Sequence, residues 1–198
     1  MGNSGRYVAG TITVPERRSV VYPVISEFKR VGIEHKVFVD PDHKGHRWNI
    51  TRMMFYFCNN YQDRNAIITM DDILFKDGWL DKCDEVLDNS DYDVVTLLTN
   101  RNYKPNDVCG IHRADQNWWM YDHFVLFRRG VLCPDWFDGF MVFCKRPDKH
   151  WKEKYYDNMI GHYLLVKGYK CGIVRPNYVK LQDVKSTIGN KLVIKDDN

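Results

Sequence analysis

Short apolar runs alternate along this chain with longer mixed segments, a pattern that predicts buried strands separated by helices. Arg6 to Thr13 is alternating and β-branched and predicts a first strand, followed by the loop Val14-Pro15-Glu16-Arg17-Arg18. Val20 to Val31 then reads as a helix with Pro23 in its first turn, and Lys36 to Val39 as a second strand ending at Asp40. A polar loop, Pro41-Asp42-His43-Lys44-Gly45-His46, leads to Asn49, which stands where a cap for the amphipathic segment Ile50 to Tyr61 is expected. The third strand is Ala66 to Phe75, whose apolar run stops at Asp71-Asp72. After it come a helix over Trp79 to Leu87, a strand from Val94 to Leu98 and a polar stretch from Thr99 to Asn117.

The second half is less regular. His123 to Arg128 reads as a strand, and Pro134 to Phe143 is a Trp- and Phe-rich excursion. Tyr155 to Val166 reads as a helix with a stripe through Tyr156, Met159, Ile160 and Tyr163, stopped by Gly168, before Lys170 to Val174 returns as a strand. Strands alternating with helical patterns predict an α/β fold: a Rossmann-like, mixed but mostly parallel sheet flanked by helices and built from right-handed crossovers. With 198 residues and no repeat, linker or low-complexity segment, one domain over 1–198 is expected.

Composition sharpens this picture only in part. Aromatic residues make up 14%, with 6 Trp and 12 Tyr, so flat faces for sugar or base rings are plentiful even if most are core. Lys+Arg 29 against Asp+Glu 26 gives a net charge of +3, which neither demands nor excludes a polyanionic partner. The 6 cysteines form no Cys-x-x-Cys pair and read as reduced thiols. Neither a signal-like h-region nor an apolar run of membrane-spanning length occurs, so a cytoplasmic protein with no membrane contact is expected, with no obligate protein partner evident.

The chemistry concentrates at Asp71-Asp72. A doubly buried strand ending in two carboxylates brings paired negative charge to the carboxyl edge of the sheet, where open α/β sheets bind ligands. Adjacent carboxylates repel and are costly to desolvate, so at such a place they typically hold a divalent cation and through it a phosphate; the alternative is a solvated turn. Neither Gly-x-Gly-x-x-Gly nor a Walker-type loop is present, so a bound diphosphate would need other neutralisation. His43 and His46 lie in a loop without a third ligand and read as solvated.

Several segments, taken in order, resemble small nucleotide-sugar-dependent glycosyltransferases of the GT-A fold, and most closely the stand-alone enzymes of bacteriophages and related viruses. They are Val8-Ala9-Gly10-Thr11-Ile12-Thr13-Val14-Pro15-Glu16-Arg17, Gly45-His46-Arg47-Trp48-Asn49, Asp71-Asp72, Tyr156-Asp157-Asn158-Met159-Ile160-Gly161 and Ser186-Thr187-Ile188-Gly189. The chain departs from the family at Met70, where an acidic residue is usual, and at Leu181-Gln182-Asp183, where a metal-binding His is frequent.

The resemblance implies a nucleotide-sugar-binding half over about residues 1–100 and an acceptor half over about 101–198. It implies a nucleotide-sugar donor, UDP-sugar foremost, on Thr13, Pro15, Arg17, Asn49 and Asp71. A Mn or Mg ion would sit on Asp72, with Asp183 as a substitute oxygen ligand. Asp157 is then the candidate base for an inverting transfer; from its helix position alone it reads as an ordinary exposed helical Asp. Trp118, Trp119 and Trp136 are candidates for stacking an acceptor, with core packing as the alternative. The acceptor suggested by this likeness is a hydroxymethyl-pyrimidine in double-stranded DNA. A glycan or protein acceptor, or a non-catalytic nucleotide or nucleic-acid binding module of the same fold, are the alternatives.

Overall fold

The computed structural model describes residues 5–98, 110–113, 123–145 and 156–183; Trp118 and Trp119 lie outside them, as does the side chain of Asp157. Strands β1 (Tyr7–Thr13), β2 (Glu34–Val39), β3 (Asn65–Met70), β5 (Val94–Thr96), β6 (Gly110–Arg113), β7 (Phe124–Phe127) and β8 (Cys171–Arg175) form one sheet in the order β2-β1-β3-β7-β5-β8-β6. Strands β1, β2, β3, β5 and β8 share one direction, while β6 and β7 oppose it, so the sheet is mixed but mostly parallel. A ribbon of β4 (Ile73–Phe75) and β9 (Val179–Leu181) lies apart from it.

Helices α1 (Arg18–Arg30), α2 (His46–Asn60), α3 (Trp79–Asn89), α4 (Pro134–Phe143) and α5 (Tyr156–Val166) cover the sheet. The alternation of side chains along each strand divides the interior into two cores. Val8, Ile12, Ala66 and Ile68 face Ile50, Met53, Met54 and Phe57 of α2 and the aromatic residues of α4. Tyr7, Ala9 and Ile67 face Val24 and Phe28 of α1 and Trp79, Cys83 and Val86 of α3. Both faces of β3 are therefore buried, which is why its sequence reads as an unbroken apolar run.

Several elements differ from the sequence expectation for identifiable reasons. The segment Ala66 to Phe75 is two strands, with Asp71-Asp72 as the turn between β3 and β4. Helix α1 begins at Arg18, so Pro23 lies inside it and not in its first turn. Helix α2 begins at His46, and its N-cap is Gly45 at φ 99. Asp40 sets that start: its carboxylate accepts the amides of Lys44 at 3.0 Å and Gly45 at 2.7 Å. Asn49 is consequently an interior helix residue and caps nothing. The excursion Pro134–Phe143 is a helix, with Trp136 at 3% exposure stacked on Phe140 at 5.3 Å and edge-on to Tyr163 at 5.5 Å. Trp136 is thus a core residue and not an acceptor platform. The five described cysteines are free thiols, and Cys58, Cys83 and Cys171 are buried.

Gly10 controls how closely α2 approaches the sheet. A Cβ there would sit 2.7 Å from Met53 Sδ and 2.7 Å from Phe57 Cζ, and both side chains are fully buried. Gly10→Ala is expected to lower the unfolding free energy by about 2 kcal/mol, as overpacking of a filled core does, measured by urea denaturation. Trp136→Ala is expected to cost about 3–5 kcal/mol in the same assay; a midpoint unchanged from that of the unsubstituted protein would return Trp136 to the acceptor side.

Candidate active site

Strand β1 leads through α1 to β2 on one side of it, and β2 leads through α2 to β3 on the other side. The chain therefore reverses its lateral direction at the β1–β3 pair, which makes the carboxyl ends of those strands the topological switch point. Thr13 ends β1 there, and Asp71-Asp72 directly follow β3. The Thr13 hydroxyl donates to Asp71 Oδ2 at 2.5 Å, tying the two strand ends together.

The turn Pro15–Arg17 after β1 carries Arg17 back over this edge. Its Nη2 donates to Asp72 Oδ2 at 3.1 Å and lies 3.2 Å from Asp71 Oδ1, so one guanidinium nitrogen sits between the two carboxylates. Arg17 is 9% exposed and Asp71 2%. The resemblance implied a nucleotide contact for Arg17; in the structure its guanidinium is the buried counter-ion of the aspartate pair. Asp71 Oδ1 is close enough to Nη2 for attraction but lacks hydrogen-bond geometry. Among the described residues, Asp71 Oδ1, Asp72 Oδ1 and Arg17 Nε are all buried without a hydrogen-bond partner. Burial pushes the Asp71 carboxyl up to about 6 from 3.8, against the Thr13 hydrogen bond and the Arg17 charge, which act downward. Because its folded-state value is raised, Asp71 contributes stability that is complete below 3.8 and lost as pH rises through about 6.

Two residues that sequence reasoning missed complete the edge. His123, just before the antiparallel β7, places Nε2 3.9 Å from Asp72 Oδ1. Gln182, just after β9, donates its backbone N–H to the Asp72 carbonyl at 2.6 Å and its side-chain amide to the carbonyls of Val20 at 2.9 Å and Ile73 at 3.3 Å. Gln182 thereby fixes the aspartate turn and delivers the exposed Asp183 next to it in the chain. Neither was legible, since each depends on pairing with a distant strand. Asn49, 3% exposed, donates to the carbonyls of Thr13 at 3.2 Å and Phe38 at 2.7 Å and accepts from Arg52 Nη2 at 2.8 Å. Its amide braces the ends of β1 and β2 from below.

A divalent cation fits this chemistry in part. No group of three His, Cys, Asp or Glu occurs together among the described residues. Mg is nevertheless commonly held by only one or two carboxylates plus substrate phosphates and waters, and the unpartnered oxygens of Asp71 and Asp72 meet that requirement. Asp157 belongs to α5, and its side chain lies outside the described residues. Beside the carboxyl end of β2, Lys44, Arg47, Trp48, Arg52, Phe55 and Phe137 line a cleft of about 480 Å³. Lys44 Nζ and Arg52 Cζ lie 4.8 and 4.5 Å from the Trp48 ring.

No protein-family model and no curated protein matches the sequence. Solved structures do match the fold. A197 from STIV aligns with a TM-score of 0.53 at 13% identity over 98% of this chain and 100% of its own. A mutant Drosophila β-1,4-galactosyltransferase 7, crystallised with manganese, UDP-Gal and xylobiose, aligns with a TM-score of 0.53 at 11% identity over 96% of this chain and 76% of its own. A Bacillus anthracis protein described as a glucose-1-phosphate thymidylyltransferase, in complex with sucrose, gives 0.51 at 10% identity over 88% and 89%. At these identities the likeness establishes the architecture: a GT-A-like, Rossmann-type α/β fold.

Proposed function

We propose that this protein is a glycosyltransferase that takes its sugar from a nucleotide-sugar donor bound at the carboxyl ends of β1 and β3. The observation that carries this reading is the Asp71-Asp72 pair at the topological switch point, Asp71 buried and Asp72 half-buried, with Thr13 and Arg17 converging on it. The fold shared with a galactosyltransferase that binds UDP-Gal supports a UDP-sugar as donor. Thr13, Pro15 and Arg17 line the nucleotide edge, Asp71 accepts from ribose or sugar hydroxyls, and Asn49 holds the strand ends in register. Asp72, with Asp183 supplied by the strand that Gln182 anchors, would hold a Mn or Mg ion. Such an ion supplies Lewis-acid stabilisation to the departing nucleotide diphosphate.

On the acceptor side, Asp157 is the proposed base, removing the proton of the attacking hydroxyl and giving inversion at the anomeric carbon. The donor elements come mainly from about residues 1–100, joined by Asp183, and the acceptor elements mainly from about 101–198, joined by the cleft at Trp48. The basic and aromatic cleft beside Trp48 supports a polyanionic acceptor carrying a ring, such as double-stranded DNA with a hydroxymethyl-pyrimidine. Trp118 and Trp119, outside the described residues, remain proposed as further stacking positions. One observation favours a second reading: Arg17 already partly neutralises the carboxylates, as expected of a module that binds nucleotides without turning them over.

Incubation with Mn and a panel of nucleotide sugars separates the two. Slow donor hydrolysis is expected from the enzyme, and Asp72→Asn is expected to reduce it by about 10²-fold or more, the scale on which transition-state charge stabilisation acts; tight donor binding without turnover, acceptor included, would select the binding module. Donor affinity is also expected to rise with pH through about 6, as Asp71 ionises, and to lose that dependence in Asp71→Asn, measured by calorimetry from pH 5 to 8.

A further inference from the structure

We infer that Arg17 is a displaceable counter-ion: in the donor-free protein its guanidinium holds the place between Asp71 and Asp72 that a divalent cation takes on loading. This rests on the reading of the aspartate pair as the cation end of a donor site and assigns Arg17 a role within it.

The charge balance at the site is incomplete as it stands. Two carboxylates face one guanidinium, with His123 Nε2 3.9 Å from Asp72 Oδ1, and the cluster keeps a net charge of −1 when both carboxylates are ionised and the imidazole is neutral. The geometry is equally incomplete. Nη2 satisfies Asp72 Oδ2 with a true hydrogen bond, whereas Asp71 Oδ1 and Asp72 Oδ1 accept none and Arg17 Nε donates none, although Asp71 is 2% and Arg17 9% exposed. A permanent structural pair of Arg with carboxylates is ordinarily bidentate and fully hydrogen-bonded, because an unsatisfied buried charge is expensive. Here the guanidinium meets two carboxylates through a single nitrogen, which is the arrangement of a pair that can part.

A dication and a guanidinium cannot both occupy the space between these oxygens, since the like charges would lie within about 4 Å of one another, where repulsion in a partly desolvated site is worth several kcal/mol. Loading a cation therefore expels the Arg17 side chain from between the carboxylates. The turn Pro15–Arg17 keeps its backbone at the nucleotide edge, so the released guanidinium is retained where a donor phosphate or base would meet it. Arg17 thus sets the cation affinity of the empty site and couples cation entry to exposure of a phosphate-seeking group. It prevents the buried Asp71 and half-buried Asp72 carboxylates from standing uncompensated in the interval between donors.

The test is a titration with Mn alone, without nucleotide, read by electron paramagnetic resonance of the free ion. Arg17→Gln is expected to bind Mn about tenfold more tightly than the unsubstituted protein, a change of about 1.4 kcal/mol, and Asp72→Asn to bind it weakly or not at all. Equal or weaker Mn affinity in a folded Arg17→Gln, or no Mn bound by either form, would overturn the proposal. A second measurement needs no folded Gln variant. In the unsubstituted protein with ¹⁵N-labelled arginine, saturation with Mg is expected to shift the Arg17 side-chain resonance, assigned by its loss in Arg17→Lys; an unmoved resonance under saturating Mg would also overturn the proposal. Because neither experiment contains a nucleotide sugar, a failure to find glycosyl transfer would leave the competition intact. Conversely, donor hydrolysis with unchanged Mn affinity in Arg17→Gln would refute the displacement alone.

Discussion

Two ionisable carboxylates lie side by side under the carboxyl edge of the sheet, and the rest of the site is organised by the need to compensate them. Asp71 is almost completely buried, and its ordinary acidity is suppressed by that burial even with a guanidinium nearby. Removing one partner of a buried ionic cluster typically costs about 3–5 kcal/mol, so Thr13 and Arg17 are as necessary to the aspartates as the aspartates are to any chemistry. The compensation comes from two directions, the hydroxyl at the end of β1 and the guanidinium from the next turn, while the amide that arrives behind β9 holds the backbone of the aspartate turn. No single one of them suffices, and the orphaned oxygens measure what is still missing.

The sheet supplies the place for this cluster. The first crossover runs from β1 to β2 and the second from β2 past β1 to β3, which puts α1 and α2 on opposite faces and makes the carboxyl ends of the β1–β3 pair the switch point. Gly10 lets α2 lie close against β1, and Asn49 in that helix then reaches both the β1 and β2 ends. Core packing and site geometry are consequently one problem here. The helix that fills one core also positions the backbone carbonyl of the residue whose hydroxyl steadies Asp71.

Much of the architecture was legible because it rests on local pattern. A strand buried on both faces has to be apolar throughout, so β3 and the carboxylates that end it stand out without knowledge of any partner. What escaped was long-range. The guanidinium of Arg17 meets a carboxylate 55 residues away, and nothing in Glu16-Arg17-Arg18 distinguishes a buried arginine from its solvated neighbours. Likewise β7 slips antiparallel between β3 and β5, bringing His123 to the edge, and strand order of that kind leaves no periodic trace. Asn49 was misplaced because a polar residue before an apolar run mimics a cap; the stronger stop came earlier, from Asp40 binding the amides of Lys44 and Gly45. Trp136 was ambiguous because a large ring suits a core and a binding cleft equally well.

The short ribbon of β4 and β9 carries one further implication. Ile73 pairs with Leu181, and the Asp72 carbonyl waits for the amide of Gln182, more than a hundred positions further along. Contacts so distant in sequence form late, after the local and neighbouring strands have condensed. During vectorial synthesis, a ribosome-bound intermediate can therefore assemble β1, β2 and β3 with their helices and still present an unfastened acidic turn. The acidic turn is complete only with the final clasp, which makes it a natural gauge of complete maturation.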